Sequence, residues 1–114
     1  MIKTGGANVS PLEIDAVLLA CPGVRLSQTV GVPHATLGEL VVACVVPHEG
    51  AALTEADVRD FARARLASYK VPRRVLVCAG EDLEMTGSAK VRTTALRSLA
   101  AERIARLDAA LVTG

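Results

Sequence analysis

The feature that most constrains the fold is an unbroken apolar run, Leu-Val-Val-Ala-Cys-Val-Val, at residues 40–46. A strand with one face in water alternates apolar and polar residues, whereas a strand covered on both faces is apolar throughout. The run is rich in valine, which favours a strand, and it is far shorter than a membrane span. It therefore predicts a central strand with other elements packed on both of its faces.

Three other segments have the apolar spacing of amphipathic helices. The first begins at Ser10-Pro11-Leu12-Glu13, which combines a capping serine, a proline at the first helical position and a glutamate three residues after the cap. We expect this helix to end at Cys21-Pro22-Gly23. The second helix is capped by Thr54, and the last starts near Thr93 or Thr94. The residues expected to face the core are Leu12, Ile14, Ala16, Val17, Leu18 and Leu19, then Val58, Phe61, Ala62 and Leu66, then Leu96, Leu99, Ile104, Leu107 and Leu111.

Two further strands complete the predicted pattern. Residues 24–32 alternate and stop at Pro33, and residues 74–78 form a third short strand. Residues 34–39 and 79–89 are expected to be loops. The sequence thus predicts the α+β class, with a small mixed three-stranded sheet packed with helices.

The composition of the chain argues against some classes of function. Its 114 residues suit one domain, residues 1–114, and 13 basic against 12 acidic residues leave a net charge of +1. A chain so close to neutral has no strong attraction to nucleic acid or to an anionic membrane. With one Phe, one Tyr and no Trp, it offers no base-stacking platform. We therefore expect no nucleic-acid partner and no membrane span.

The cysteines and histidines predict no metal site. Cys21, Cys44 and Cys78 form no CxxC pair, and His34 and His48 are isolated. We expect three small buried thiols in a reducing cytoplasm.

Lysine is scarce in this chain, and three of the four segments that carry a family resemblance contain a lysine. The chain has ten Arg but only three Lys. The segments are residues 1–14, Val30-Gly31-Val32-Pro33, Tyr69-Lys70-Val71-Pro72 and Thr86-Gly87-Ser88-Ala89-Lys90-Val91. In this order and spacing they resemble the C-terminal domain of the adenylate-forming superfamily, which includes acyl-CoA synthetases, firefly luciferase and nonribosomal peptide adenylation domains.

The resemblance implies the mobile C-terminal domain of an acyl-CoA synthetase, an acid–thiol ligase of fatty acid metabolism. Such an enzyme uses ATP, Mg²⁺ and CoA and activates a small-molecule carboxylic acid. Its partner would be its own, much larger N-terminal domain, which holds the phosphate loop and the acyl pocket. We expect the present chain to be a cytoplasmic fragment that lacks that domain, is inactive alone and binds no cofactor.

The resemblance also implies roles for individual residues. Lys90 matches the catalytic lysine of adenylation, although Ala89 stands where the family usually has glycine. Lys3, Gly5 and Gly6 match the loop that borders the pantetheine tunnel in thioester formation. Lys70 is a candidate for contact with a CoA phosphate or the partner domain; a plain charge at a helix end is the alternative.

Two other functions stay open at this point. One is the C-terminal domain of an acyl-AMP or amino acid-AMP ligase that loads a carrier protein. The other is a free-standing, non-catalytic interaction module that docks on another subunit. A phosphate-loop sequence encoded upstream would favour the ligase fragment, and a stop codon before Met1 would favour the module.

Overall fold

A five-stranded sheet lies between two helical layers in the computed structural model, which describes the backbone of residues 1–83 and 89–113 and the side chains of residues 1–83 and 92–107. The strands are β1 (Ile2–Thr4), β2 (Ala7–Val9), β3 (Val24–His34), β4 (Gly38–Pro47) and β5 (Arg74–Val77). The helices are α1 (Pro11–Leu18), α2 (Glu55–Arg63), α3 (Gly80–Leu83) and α4 (Ala89–Thr113), with a 3₁₀ turn at Ser68–Lys70. This arrangement confirms the α+β class.

Strand β4 lies at the centre of the sheet. It pairs antiparallel with β3 along its whole length, from Val24 opposite Pro47 to His34 opposite Gly38. The other edge of β4 pairs with two strands. Strand β1 pairs with the first residue of β4, where Thr4 lies opposite Gly38. Strand β5 runs parallel to residues 42–45.

Each face of β4 lies in a separate apolar core. Val41, Ala43 and Val45 pack with residues of α1 and α2, whereas the β4 residues that alternate with them pack with α4 on the opposite face. All six residues from Val41 to Val46 are at most 4% exposed. The predicted central strand with two covered faces is therefore confirmed.

The sheet has two strands more than the sequence predicted. Strands β1 and β2 form a hairpin around the turn at Gly5 and Gly6, with Ile2 opposite Val9. Three-residue strands are too short to give an alternating pattern. Pairing with β4 and burial of Ile2 and Val9 stabilise the hairpin instead.

Several predicted boundaries are wrong, and α1 ends at Leu18 rather than at Cys21. Strand β3 continues through Pro33 to His34 because a strand at the end of a sheet tolerates proline. The loop expected at 34–39 shortens to a turn, in which Nδ1 of His34 accepts hydrogen bonds from the backbone N–H groups of Thr36 and Leu37. The expected loop at 79–89 includes α3, and α4 begins at Ala89 rather than near Thr93.

The first helix buries a narrower face than expected, with the predicted core residues Ile14 and Leu18 inside and the predicted core residue Ala16 exposed. Leu12 is 79% and Leu19 52% exposed. The Ser10 side chain makes no capping hydrogen bond, and Glu13 binds Lys70 instead of closing a capping box.

The other two helices follow the prediction more closely. In α2, Oγ1 of Thr54 caps the helix by accepting from the backbone N–H of Asp57. In α4, Leu96 and Ile104 are buried but Leu107 is 46% exposed. Leu111 lies outside the side chains that the structure describes.

The three cysteines are buried free thiols, as predicted. The side-chain interaction between Cys44 and Cys78 raises the pKa of Cys44 and lowers the pKa of Cys78. Arg103 adds a donor 3.4 Å from the Cys78 sulfur.

Among the described residues, no group of three or more His, Cys, Asp or Glu is arranged to hold a metal ion. None of the helices described is both long enough and apolar enough to cross a bilayer.

Asp15 is a partly buried acid of α1 that contacts β3. Its Oδ1 accepts hydrogen bonds from Ser27 Oγ at 2.9 Å and Thr29 Oγ1 at 2.7 Å. Burial raises the pKa of the Asp15 carboxyl, although the two hydroxyl donors oppose that shift. Folding therefore favours the protonated acid.

We predict that the gain in free energy of unfolding caused by Asp15→Asn increases as the pH rises. A raised pKa in the folded state gives stability at low pH that is lost as the pH climbs from the unfolded pKa through the folded one. The amide oxygen of asparagine still accepts from the two hydroxyls but carries no charge. Urea unfolding at pH 3 and pH 7 should show a larger gain for Asp15→Asn at pH 7. The control is Asp57→Asn, at an exposed acid, and a gain that shrinks with pH would contradict the prediction.

Candidate functional site

The β1–β2 hairpin carries three of the predicted site residues. Lys3 is exposed in β1, and Gly5 and Gly6 form the turn with φ angles of 55° and 84°. These left-handed conformations favour glycine, which has no Cβ. The Gly5 N–H donates to the carbonyl of Leu37 at 3.0 Å, which fastens the turn to the β3–β4 hairpin.

A small cavity joins this turn to the segment that follows α2. It has a volume of about 230 Å³. Its lining residues are Thr4, Gly5, Ala7, Leu37, Val41, Tyr69, Val71 and Arg73. Two of the four segments that carry the family resemblance, residues 1–14 and Tyr69–Pro72, therefore meet at one surface. Tyr69 and Arg73 are exposed there, so an aromatic ring and a guanidinium group accompany the glycine turn.

Lys70 has a carboxylate partner. Its Nζ lies 2.9 and 3.1 Å from the two carboxylate oxygens of Glu13 in α1. The hydrogen bond to Glu13 raises the pKa of Lys70. Lys70 is therefore a fixed positive charge, and an anionic ligand would have to share it with Glu13.

Glu39 was missed by the sequence analysis because it falls in a segment expected to be a loop. Its Oε1 accepts from the backbone N–H of Lys3 at 3.1 Å. Its Oε2 lies 3.5 Å from Nη2 of Arg97, a residue of α4. No pattern in the sequence pairs these residues, because they are brought together only by the folded sheet.

Lys90 is the second residue of α4. Helix α4 packs on the face of the sheet opposite to α1 and α2. The Lys90 side chain lies outside the part of the chain whose side chains the structure describes, as do Gly87 and Ser88. Its catalytic role thus stays a prediction, and its backbone belongs to a helix rather than to the expected loop.

Comparison with known proteins identifies the family of this chain. Residues 13–90 match the AMP-binding enzyme C-terminal domain family. An oxalate–CoA ligase of Arabidopsis thaliana is 40% identical over 92 residues, which are 81% of this chain and 18% of that protein. A mitochondrial malonate–CoA ligase of Mus musculus is 44% identical over 77 residues, or 68% of this chain and 13% of that protein.

Solved structures give the same result for the fold. ATP-bound MatB from Rhodopseudomonas palustris superposes with a TM-score of 0.75 at 36% identity, covering 87% of this chain and 20% of that one. An acyl-CoA synthetase of Brucella canis gives 0.76 at 27% identity, covering 90% of this chain and 19% of that one. The chain spans a fifth or less of the length of these relatives. It belongs to the AMP-binding enzyme C-terminal domain family, the C-terminal domain of the adenylate-forming superfamily.

Proposed function

We propose that this chain serves as the mobile C-terminal domain of an ATP-dependent carboxylic acid–CoA ligase. The observation that carries the proposal is the meeting of the Lys3–Gly6 turn and the Tyr69–Arg73 segment around one cavity. The names of the relatives, which are CoA ligases, favour CoA over a carrier protein as the thiol acceptor. The partner in this proposal is an N-terminal adenylation domain, and the setting is the cytoplasm.

The proposed reaction has two steps. A substrate carboxylate first attacks the α-phosphorus of ATP and pyrophosphate leaves, which gives an acyl-adenylate. The CoA thiolate then attacks the acyl carbonyl and AMP leaves, which gives the thioester. Among the described residues, no group of acids is arranged to hold Mg²⁺.

Lys90 would act in the first step. The carboxylate and the phosphate repel each other as they approach, and negative charge grows on the phosphoryl oxygens. A compact ammonium between the two anions stabilises that transition state. The planar guanidinium of arginine would not fit the same space equally well.

The glycine turn would act in the second step. Glycine lets the backbone come close to a thin ligand such as the pantetheine arm of CoA. A Cβ at Gly6 would have no heavy atom within 4 Å in this domain, so space beside the turn is open to a ligand.

We predict that Gly6→Leu slows thioester formation and spares adenylation. Gly50→Leu is a matched control, because Gly50 has a φ of 80° against 84° at Gly6, and a Cβ added at either glycine would have no heavy atom within 4 Å. Both variants should lose about 1–2 kcal/mol of unfolding free energy from left-handed strain. Single-turnover assays of a full-length enzyme carrying this domain should show a slower CoA step for Gly6→Leu only. Equal rates in both variants would contradict the role of the turn.

We predict the opposite pattern for Lys90→Ala. Loss of a charge aimed at the transition state should slow acyl-adenylate formation by about 10²–10³-fold. Thioester formation from supplied acyl-adenylate should change far less. Single-turnover measurement of the two steps separates these effects, and an equal loss in both would contradict the division of labour.

We predict that Lys70→Gln weakens binding of CoA through its 3′-phosphate. The full-length enzyme should show a KM for CoA several-fold higher, and KM values for CoA and 3′-dephospho-CoA should become similar. Glu13→Gln leaves Lys70 without its carboxylate partner, so it should keep the preference for CoA. Both substitutions remove the Glu13–Lys70 ion pair. If neither changes the preference for CoA over 3′-dephospho-CoA, Lys70 has only a structural role.

A further inference from the structure

We propose that Glu39 is a positioning residue that holds the Lys3–Gly6 turn in place for thioester formation. The inference rests on the proposed function and adds to it a residue outside the turn itself. It is carried by three observations: the hydrogen bond from Lys3, the contact with Arg97, and the space that Gly31 leaves for the carboxylate.

The first observation is the hydrogen bond to β1. The Lys3 N–H donates to Glu39 Oε1 at 3.1 Å. Strand β1 pairs with β4 through a single register position, Thr4 opposite Gly38. Besides that position and the Gly5–Leu37 hydrogen bond, a charged acceptor therefore adds a further strong attachment, since hydrogen bonds to ionised groups are stronger than neutral ones.

The second observation is the connection to α4. Glu39 Oε2 lies 3.5 Å from Arg97 Nη2, and Arg97 Nε also donates to the Gly31 carbonyl at 2.7 Å. The Glu39 side chain is 27% exposed, so water screens this contact less than it would screen a fully exposed pair. Arg97 thus contacts the carboxylate oxygen that Lys3 does not, and it connects the Glu39 side chain to the helix that begins at Ala89.

The third observation explains why glycine occupies position 31. A Cβ added there would overlap Glu39 Oε2 and would lie 2.9 Å from Glu39 Cδ. The next nearest atom, Cγ2 of Ile2, would be 3.2 Å away. The carboxylate is the far end of a flexible side chain, so an added methyl group would displace it without breaking the sheet. Gly31 therefore leaves the space in which Glu39 can reach Lys3 and Arg97 together.

The first test measures amide hydrogen exchange in this chain. Glu39→Ala should speed exchange of the Lys3 amide at least tenfold, and Glu39→Gln, which keeps an acceptor, should have a smaller effect. Glu102→Ala is the matched control, because it removes another Glu–Arg pair of α4, with Arg106, away from the turn. An unchanged Lys3 amide in Glu39→Ala would overturn the inference.

The second test combines substitutions at Gly31 and Glu39. Gly31→Ala alone should speed exchange at Lys3, because it displaces the carboxylate. In the Glu39→Ala background it should add less than about twofold, because no carboxylate is left to displace. Independent, multiplicative effects of the two substitutions would overturn the role assigned to Gly31 and Glu39.

The third test separates positioning from general stabilisation. In a full-length enzyme carrying this domain, Glu39→Ala should slow thioester formation from acyl-adenylate about tenfold or more, and adenylation less than threefold. Equal slowing of both steps, or no slowing of the thioester step, would overturn the inference. Failure of the proposed function itself is distinct, since the enzyme without substitutions would then form no CoA thioester, while the two exchange experiments would still report on the contact.

Discussion

Burial of β4 on both faces is the constraint on which the other elements depend. Its two edges are occupied by β3 on one side and by β1 and β5 on the other. Its alternate side chains enter two different cores. Full burial of one valine side chain contributes about 1.5–3 kcal/mol. Burial of the side chains of β4 therefore strongly stabilises the packing of helices on both faces of the sheet. Helices α1 and α2 on one face and α4 on the other follow from that arrangement.

The predicted functional elements lie around this rigid centre rather than within it. The glycine turn and the Tyr69–Arg73 segment border one cavity at the edge of the sheet. Lys90 belongs to the helix on one face, and the Glu13–Lys70 pair involves a helix on the other. Under the proposed function, a rotation of the whole domain would therefore present different residues to a fixed active site without refolding any element.

The sequence predicted the elements whose information is local and missed those that depend on pairing. The apolar run at 40–46 and the Thr54 cap were sufficient to predict β4 and the start of α2. The Ser10 signal correctly predicted a helix, but Leu12 and Leu19 were assigned to the core although they are exposed. Helical spacing alone could not decide between two overlapping apolar faces, because the sheet selects Ile14 and Leu18.

The candidate site shows the same limit. The family resemblance pointed to Lys3, Gly5 and Gly6, and the fold places Gly5 beside Tyr69 and Val71 at one cavity. Glu39 and Arg97 carried no signal, because the contact of Glu39 with Lys3 spans 36 positions along the chain and its contact with Arg97 spans still more. Both contacts exist only once β1, β4 and α4 have assembled. Long-range polar contacts of this kind have no periodicity from which they could be predicted.

Strand β3 has a consequence for how this domain behaves in solution. It is eleven residues long and lies at the end of the strand order in the described part of the chain. Long edge strands recruit strands from other molecules unless proline, charge or a bulge interrupts them. Here Pro33 and the irregular register near Arg25 interrupt the two ends, and Arg97 covers the carbonyl of Gly31 between them. The arginine that contacts Glu39 thus also makes one carbonyl of β3 less available to a strand of another molecule.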